Sequence, residues 1–269
     1  MKFMKAALAP LSLAVLSAAS LASAGTVAEE GRHMISAAWL HVDTSQSKSD
    51  PLTTSNVRNG STITDAGTST ELSNADTLAL TYTYAFNDNW SAQVLGGVPP
   101  KFKLTGSGHS ALVGDLGSYG DLAEVRQWSP TALAIYTFGQ PSQAFRPYVG
   151  LGVAYTKFDD IELNPAFENA LISAVKGNAP PGVIQGVKVD VEADDSWDPV
   201  LTVGGQYNFA KNWYAIGSIS YVPLSTTATV TTNITQTATP LVPTGKATVS
   251  QAAMDINPIV TYLGIGYRF

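Results

Sequence analysis

The sequence predicts an all-β protein, an eight-stranded antiparallel transmembrane β-barrel with short periplasmic turns and long extracellular loops. Three observations carry this prediction. Segments of about ten residues alternate apolar side chains with small or polar ones, the period of a strand whose two faces meet different surroundings. Their connections alternate short with long, the asymmetry of outer-membrane barrels, whose even strand count leaves both termini on the short-turn side. Past the N-terminal leader, no stretch approaches the ~20 continuous apolar residues of a spanning helix. A membrane is therefore reached by strands.

Residues 1–24 read as a secretory signal peptide. Lys2 and Lys5 precede an apolar run interrupted by Pro10, and Ala22-Ser23-Ala24 supplies an A-x-A cleavage pattern, leaving residues 25–269 as the mature barrel. The chain has no cysteine, so after export it must be held by burial or by a membrane and not by covalent staples. Its formal net charge of −6, two units more negative once Lys2 and Lys5 leave, argues against nucleic acid as a partner.

The strands follow in order. The first, 33–42, is ambiguous, because Ile35, Ala37 and Trp39 oppose Met34, Ser36, Ala38 and Leu40. The second is clean: Leu78, Leu80, Tyr82, Tyr84 and Phe86 oppose Thr77, Ala79, Thr81, Thr83 and Ala85. Asn87-Asp88-Asn89 is a turn signal leading into the third, where Trp90, Ala92, Val94 and Val98 oppose Ser91, Gln93, Leu95 and Gly97. The fourth, about 128–138, carries Leu133 and Ile135 between small residues and turns at Gly139-Gln140-Pro141-Ser142. In the fifth, Val149, Leu151, Val153 and Tyr155 oppose Tyr148, Gly150, Gly152 and Ala154. The sixth, with Trp197, Leu201, Val203, Tyr207 and Phe209 on one face, turns at Ala210-Lys211-Asn212 into the seventh, with Trp213, Ala215, Ile219 and Tyr221 opposite Ser218 and Ser220. The last, 257–269, sets Leu263, Ile265, Tyr267 and Phe269 against Tyr262, Gly264, Gly266 and Arg268.

Proline gives an independent check, since it cannot donate to a ladder. Pro99, Pro130, Pro199, Pro223 and Pro258 all lie at a similar distance from the short-turn end, close to the ~9–11 residues a tilted strand needs to cross a bilayer. They are expected to mark where membrane-level pairing ends. Phe86, Trp90, Phe138, Phe145, Phe209, Trp213 and Phe269 crowd one level and Trp39, Trp128 and Trp197 the other, which predicts two aromatic girdles.

Several segments together resemble the OmpW family of outer-membrane proteins, which includes the AlkL-type importers. They are Phe145-Arg146-Pro147-Tyr148-Val149-Gly150, Asp195-Ser196-Trp197, Asn212-Trp213, Ser129-Pro130-Thr131 and Gly266-Tyr267-Arg268-Phe269. The resemblance covers essentially the mature chain. It implies a hydrophobic lumen that helps small apolar molecules cross the lipopolysaccharide layer, with lateral release into the bilayer, and assembly by the barrel-assembly machinery through the terminal aromatic, Phe269. It also implies a lumenal constriction of a leucine and a tryptophan. Leu95 matches the leucine, but Ser220 stands at the tryptophan position.

The residues themselves predict a compatible interior. Ala79, Thr81, Thr83, Ala132, Ala134, Gly150, Gly152, Thr202, Gly204 and Ser218 are assigned inward, with Leu95, Tyr136, Tyr148 and Tyr262 as the larger inward groups and Ser220 at a depth similar to Leu95. An eight-stranded barrel has room for side chains or one small ligand, not an aqueous pore. Pro99 and Pro100 on strand three and Pro130 on strand four each remove a donor, so the ladder between these strands is expected to break near the outer interface, opening a lateral gap.

Other chemistry finds little support. His33, His41 and His109 lie in no triad or metal spacing, so no catalytic residue, metal site or cofactor is expected. Asp159, Asp160, Asp190, Glu192, Asp194 and Asp195 in the third long loop read as a solvated loop or as a site for a divalent cation or lipopolysaccharide counter-ion. In the same loop Asn164, Pro165 and Gly177 bracket a short helix, and the alternation at Val187, Val189 and Val191 suggests that strand six extends above the membrane. The Thr-rich stretch 226–239 and 246–251 suggest a hairpin turning at 240–245. The sequence thus supports passive uptake of small apolar solutes, and alternatively a structural barrel whose loops serve adhesion or phage or antibody recognition.

Overall fold

The computed structural model describes residues 31–239 and 242–269, so the signal peptide expected at residues 1–24, and Pro240 and Leu241 of the expected hairpin tip, lie outside the described residues. Eight strands form the barrel: β1 His33–Asp43, β2 Ala75–Ala85, β3 Trp90–Gly97, β4 Thr131–Thr137, β5 Phe145–Leu163, β6 Ser196–Asn208, β7 Trp213–Tyr221 and β8 Ile259–Arg268. Each pairs antiparallel with the next, and β8 returns to β1, with Ala37 opposite Ile265. Closure satisfies backbone groups that lipid could not.

Alternation sorts the faces. Leu78 is 66% exposed and its neighbour Ala79 3%, because the first meets lipid and the second the lumen. The ambiguity of β1 resolves the same way: Met34, Ala38, Leu40 and Val42 are buried inside, and Ile35 and Trp39 are exposed. The aromatic girdles form as expected, with Phe86, Trp90, Phe138, Phe145, Phe209, Trp213 and Phe269 exposed near the short turns and Trp39, Trp128 and Trp197 near the long loops. Two turns close alike: Phe86 N donates to Trp90 O at 2.9 Å and Phe209 N to Trp213 O at 3.3 Å.

On β4 the expectation is inverted. Leu133 and Ile135 are buried in the lumen, and Ala132, Ala134 and Tyr136 face out. Tyr136 is paired in register with Trp90, and its ring lies 5.0 Å from those of both Trp90 and Phe138. It belongs to the inner girdle, not to the lumen expected of it. The proline ring also needs one correction, since Pro199 sits inside β6 opposite Val153. It is tolerated there because the β6–β7 ladder has already ended, at Leu201–Tyr221, leaving that edge without a partner.

The long loops build two sheets above the barrel. One extends β5 and adds strands Asp121–Trp128 and Lys101–Ser107. The other joins Ile184–Ala193, Ser225–Thr237, Gly245–Asp255 and Leu52–Asn56. Val187, Val189 and Val191 thus form a separate strand bonded to Ser225–Thr237, and not an extension of β6. Helix α1, Pro165–Gly177, starts where Asn164 Oδ1 accepts from Ala166 N at 2.8 Å, and buries Phe167, Leu171 and Val175.

The barrel closes at its last residue. Phe269 N donates to His33 O at 2.8 Å, its carbonyl accepts from Gly31 N, and its ring packs edge-on against Tyr267 at 5.0 Å. Deleting Phe269 removes both seam bonds and a girdle aromatic. The expected result is less heat-modifiable barrel in the outer membrane on semi-native gels; normal assembly of the deletion would remove this residue from the closing step.

Candidate functional site

Inside the barrel a cavity of about 430 Å3 occupies the outer half of the lumen. Strand alternation delivers Leu40, Leu95, Leu133, Val200, Ser220 and Val260 to its wall. Leu95 and Ser220, expected at one depth, line this same space, and Ser220 Oγ donates to Thr202 Oγ1 at 3.0 Å. The wall is mostly apolar, so an apolar guest exchanges water for hydrocarbon contacts on entering.

The cavity reaches the barrel wall at the β3–β4 seam. Pro99, Pro100, Trp128 and Pro130 line it beside the lumenal residues. Here the β3–β4 ladder ends at Leu95–Thr131, and the next backbone bond above is Gln127 N to Pro100 O at 3.1 Å. The prolines do not contribute equally. Val98 N donates to Leu78 O on β2 at 3.0 Å, whereas Pro100 O accepts from Gln127 N, so the alternation breaks after β3 and the donor the Pro100 ring removes lies on the β4 side. Pro130 O accepts from Tyr155 N at 3.0 Å, so the donor its ring removes lies on the β5 side, away from the seam. The donor that Pro130 removes therefore does not bear on this seam, contrary to the expectation that all three prolines would.

Below the cavity the lumen is filled. Tyr262 and Ser36 hydroxyls hydrogen-bond at 2.8 Å, Ser36 also meets Thr81, and Tyr148 and Tyr214 lie beside Ser218 and Ser36. Two glycines make room for the rings. A Cβ on Gly204 would stand 2.5 Å from Tyr148 Cζ, and one on Gly266 2.2 Å from Tyr214 Cζ. Gly204 and Gly266 thus accommodate a tyrosine floor instead of widening a channel. Tyr148 and Tyr262 were legible as large inward groups. Tyr214 was missed, although its alternation with Ser218 and Ser220 on β7 carried the signal.

Above the cavity the two outer sheets enclose a second apolar space of about 110 Å3, walled by Leu104, Leu122, Phe158 and Met254 among others. One buried apolar cluster packs between the two spaces, running from Phe158, Val125 and Ile256 to Leu224, Val42 and Leu40. Just above Pro100 the outer sheet face carries Lys101–Glu124, Lys103–Asp121 and Arg126–Asp160 ion pairs. Lys101 holds the Glu124 carboxyl below its usual range, and Asp121 raises the Lys103 ammonium. These pairs are exposed, so they add little to stability.

The histidines stay apart: His33 Nδ1 meets Tyr82 OH at 2.7 Å, His41 Nδ1 meets Asp76 at 2.8 Å, and His109 sits in a separate hairpin. The acidic loop residues disperse too, with Asp160 on Arg126, Asp190 on Lys188 and Asn233, and Asp195 accepting from Tyr155 OH at 2.6 Å. Among the described residues no three potential metal ligands cluster.

A closed eight-stranded barrel with an apolar belt between two aromatic girdles defines an outer-membrane β-barrel protein. The chain belongs to the OmpW family, whose model matches residues 29–269. It is similar to Outer membrane protein W of Vibrio cholerae serotype O1, 33% identical over 192 residues that cover 71% of this chain and 73% of that protein. It is also similar to the Dibenzothiophene metabolism operon protein PahQ of Pseudomonas aeruginosa, 25% identical over 205 residues, 76% of each. The crystal structure of the outer membrane protein OprG from Pseudomonas aeruginosa shares the fold, with a TM-score of 0.66 at 24% identity, covering 89% of this chain and 96% of that one.

Proposed function

We propose that this barrel carries small apolar molecules passively inward across the outer leaflet. A solute enters among the apolar residues of the outer sheets, occupies the 430 Å3 cavity and leaves sideways through the β3–β4 seam into the bilayer. The observation that carries this reading is that one cavity is lined both by lumenal Leu95 and Leu133 and by Pro99, Pro100 and Trp128 at the wall, where the ladder stops. The tyrosine floor favours the lateral route, because travel down the axis would require breaking a buried hydrogen-bonded layer. One relative is named for a dibenzothiophene metabolism operon, and dibenzothiophene is a flat apolar heterocycle. In this reading lipopolysaccharide surrounds the long loops, and the assembly machinery acts on the strand ending at Phe269.

The test compares cells with and without the protein for accumulation of a labelled aromatic hydrocarbon. Faster accumulation with the protein is expected. Equal rates, with the barrel folded in the membrane, would favour instead a structural or adhesive role for the long loops.

A further inference from the structure

The lumen has a second chamber beneath the tyrosine floor, and its chemistry is opposite to that of the first. We propose that this chamber, about 360 Å3 at the short-turn mouth, binds an oxyanion, a carboxylate or a phosphate, between the guanidinium groups of Arg146 and Arg268.

Both arginines line this space, along with Ser91 and Gln206. Arg146 is 6% exposed and held rigidly: Nε donates to Phe138 O at 3.3 Å, and Nη2 donates to Asp88 O at 2.5 Å and Gly139 O at 3.2 Å. A guanidinium has five donors, so the Nη1 pair remains for a ligand. Arg268 is anchored through its backbone, donating from N to Asn212 O at 2.8 Å and accepting from Asn212 Nδ2 at 2.7 Å. Its stem lies against Gly31, where a Cβ would come within 3.2 Å of Cδ. Among the described residues its side chain makes no ion pair or hydrogen bond, and Arg146 makes no ion pair. Asp88 is on the wall, but neither guanidinium pairs with its carboxylate.

Two cations facing one partly desolvated chamber repel each other; the Asp88 carboxylate acts on Arg146 only through space, without an ion pair, and among the described residues Arg268 has no acidic partner. An oxyanion between them supplies a direct counter-charge. The Arg268 fork matches the geometry of carboxylate and phosphate oxygens, which a halide ion cannot reproduce, and the Arg146 Nη1 pair adds further donors. The chamber is independent of the apolar path above it, so the inference stands whether or not the barrel transports hydrocarbons.

The experiment follows the arginine Nε–Hε NMR signals of the labelled, folded barrel in micelles. Inorganic phosphate and acetate are titrated separately, with ionic strength held constant by chloride. Saturable shifts of the Arg146 and Arg268 signals are expected. The oxyanion that saturates at lower concentration identifies phosphate or carboxylate as the preferred class. Arg268→Gln is expected to weaken binding at least about tenfold, and Arg268→Lys, which keeps charge but loses the fork, by an intermediate factor. Shifts that stay linear in both anions and match those from chloride would overturn the proposal, as would undiminished affinity in Arg268→Gln. If Arg268→Gln does not fold, the wild-type titration and Arg268→Lys decide.

Discussion

A Ser220→Trp variant is expected to fold like the wild type and to take up apolar solutes at least about tenfold more slowly, a barrier change of roughly 1.4 kcal/mol. Ser220 stands opposite Thr202 and Val260 on the wall of the 430 Å3 cavity. The new indole enters empty space, so it escapes the ~1–3 kcal/mol that overpacking a filled core would cost. The lost bond to Thr202 costs about 1 kcal/mol at most, because Thr202 Oγ1 can still donate to Ile219 O at 3.4 Å. Ser220→Ala, which loses the same bond without adding bulk, is the control and should transport normally. Hydrocarbon accumulation and heat-modifiability are the two readouts. A folded Trp variant with unchanged uptake would take this level of the lumen off the route.

Much of the barrel was legible because lipid imposes a strict rule on one face. Strands β2, β5 and β8 place large apolar groups outward and small or polar ones inward, and the contrast fixes their facing. Strand β4 lacks that contrast, since Ala132, Leu133, Ala134 and Ile135 suit either side of a barrel wall. Its facing is decided by register with Trp90 and Leu95 on β3, which is a pairing and not a property of the segment. The outer sheets were partly legible for the same reason. Helix α1 and the hairpin of Ser225–Thr237 with Gly245–Asp255 are local, so caps and alternation announce them. The bond between Ile184–Ala193 and Ser225–Thr237 is not local, and nothing in either stretch names the other.

The site divides similarly. Residue types on alternating positions put Leu95, Ser220, Tyr148 and Tyr262 in the lumen. Whether glycines leave a hole or admit a ring depends on a partner strand: Gly266 on β8 receives Tyr214 from β7, and Gly204 on β6 receives Tyr148 from β5. The direction of a proline's missing donor is likewise invisible until the neighbouring strands are known. Thus Pro100 and Pro130, at nearly equal height in the sequence, face different neighbours, the Gln127 side and β5.

This asymmetry makes the lateral route testable by contrast. Replacing Pro99 and Pro100 together with Val restores a donor on the β4 side at Pro100 and lets the strand stay extended toward Gln127. Each ladder bond gained contributes about 0.5–1.5 kcal/mol, enough to hold the seam shut most of the time. Uptake of an apolar solute is then expected to fall about tenfold. Solute binding in the cavity, read from quenching of Trp128 emission, should persist, because Leu95, Leu133 and Ser220 are untouched. Pro130→Val restores a donor on the β5 side, next to Tyr155, and keeps the bulk of the side chain at the cavity wall. It is expected to leave uptake within about twofold of wild type, a change of roughly 0.4 kcal/mol. If both variants fold and the Pro99, Pro100 double variant transports as well as the wild type, solutes do not leave through this seam. If Pro130→Val slows uptake as much as the double variant, the donor geometry at the seam is not what opens it.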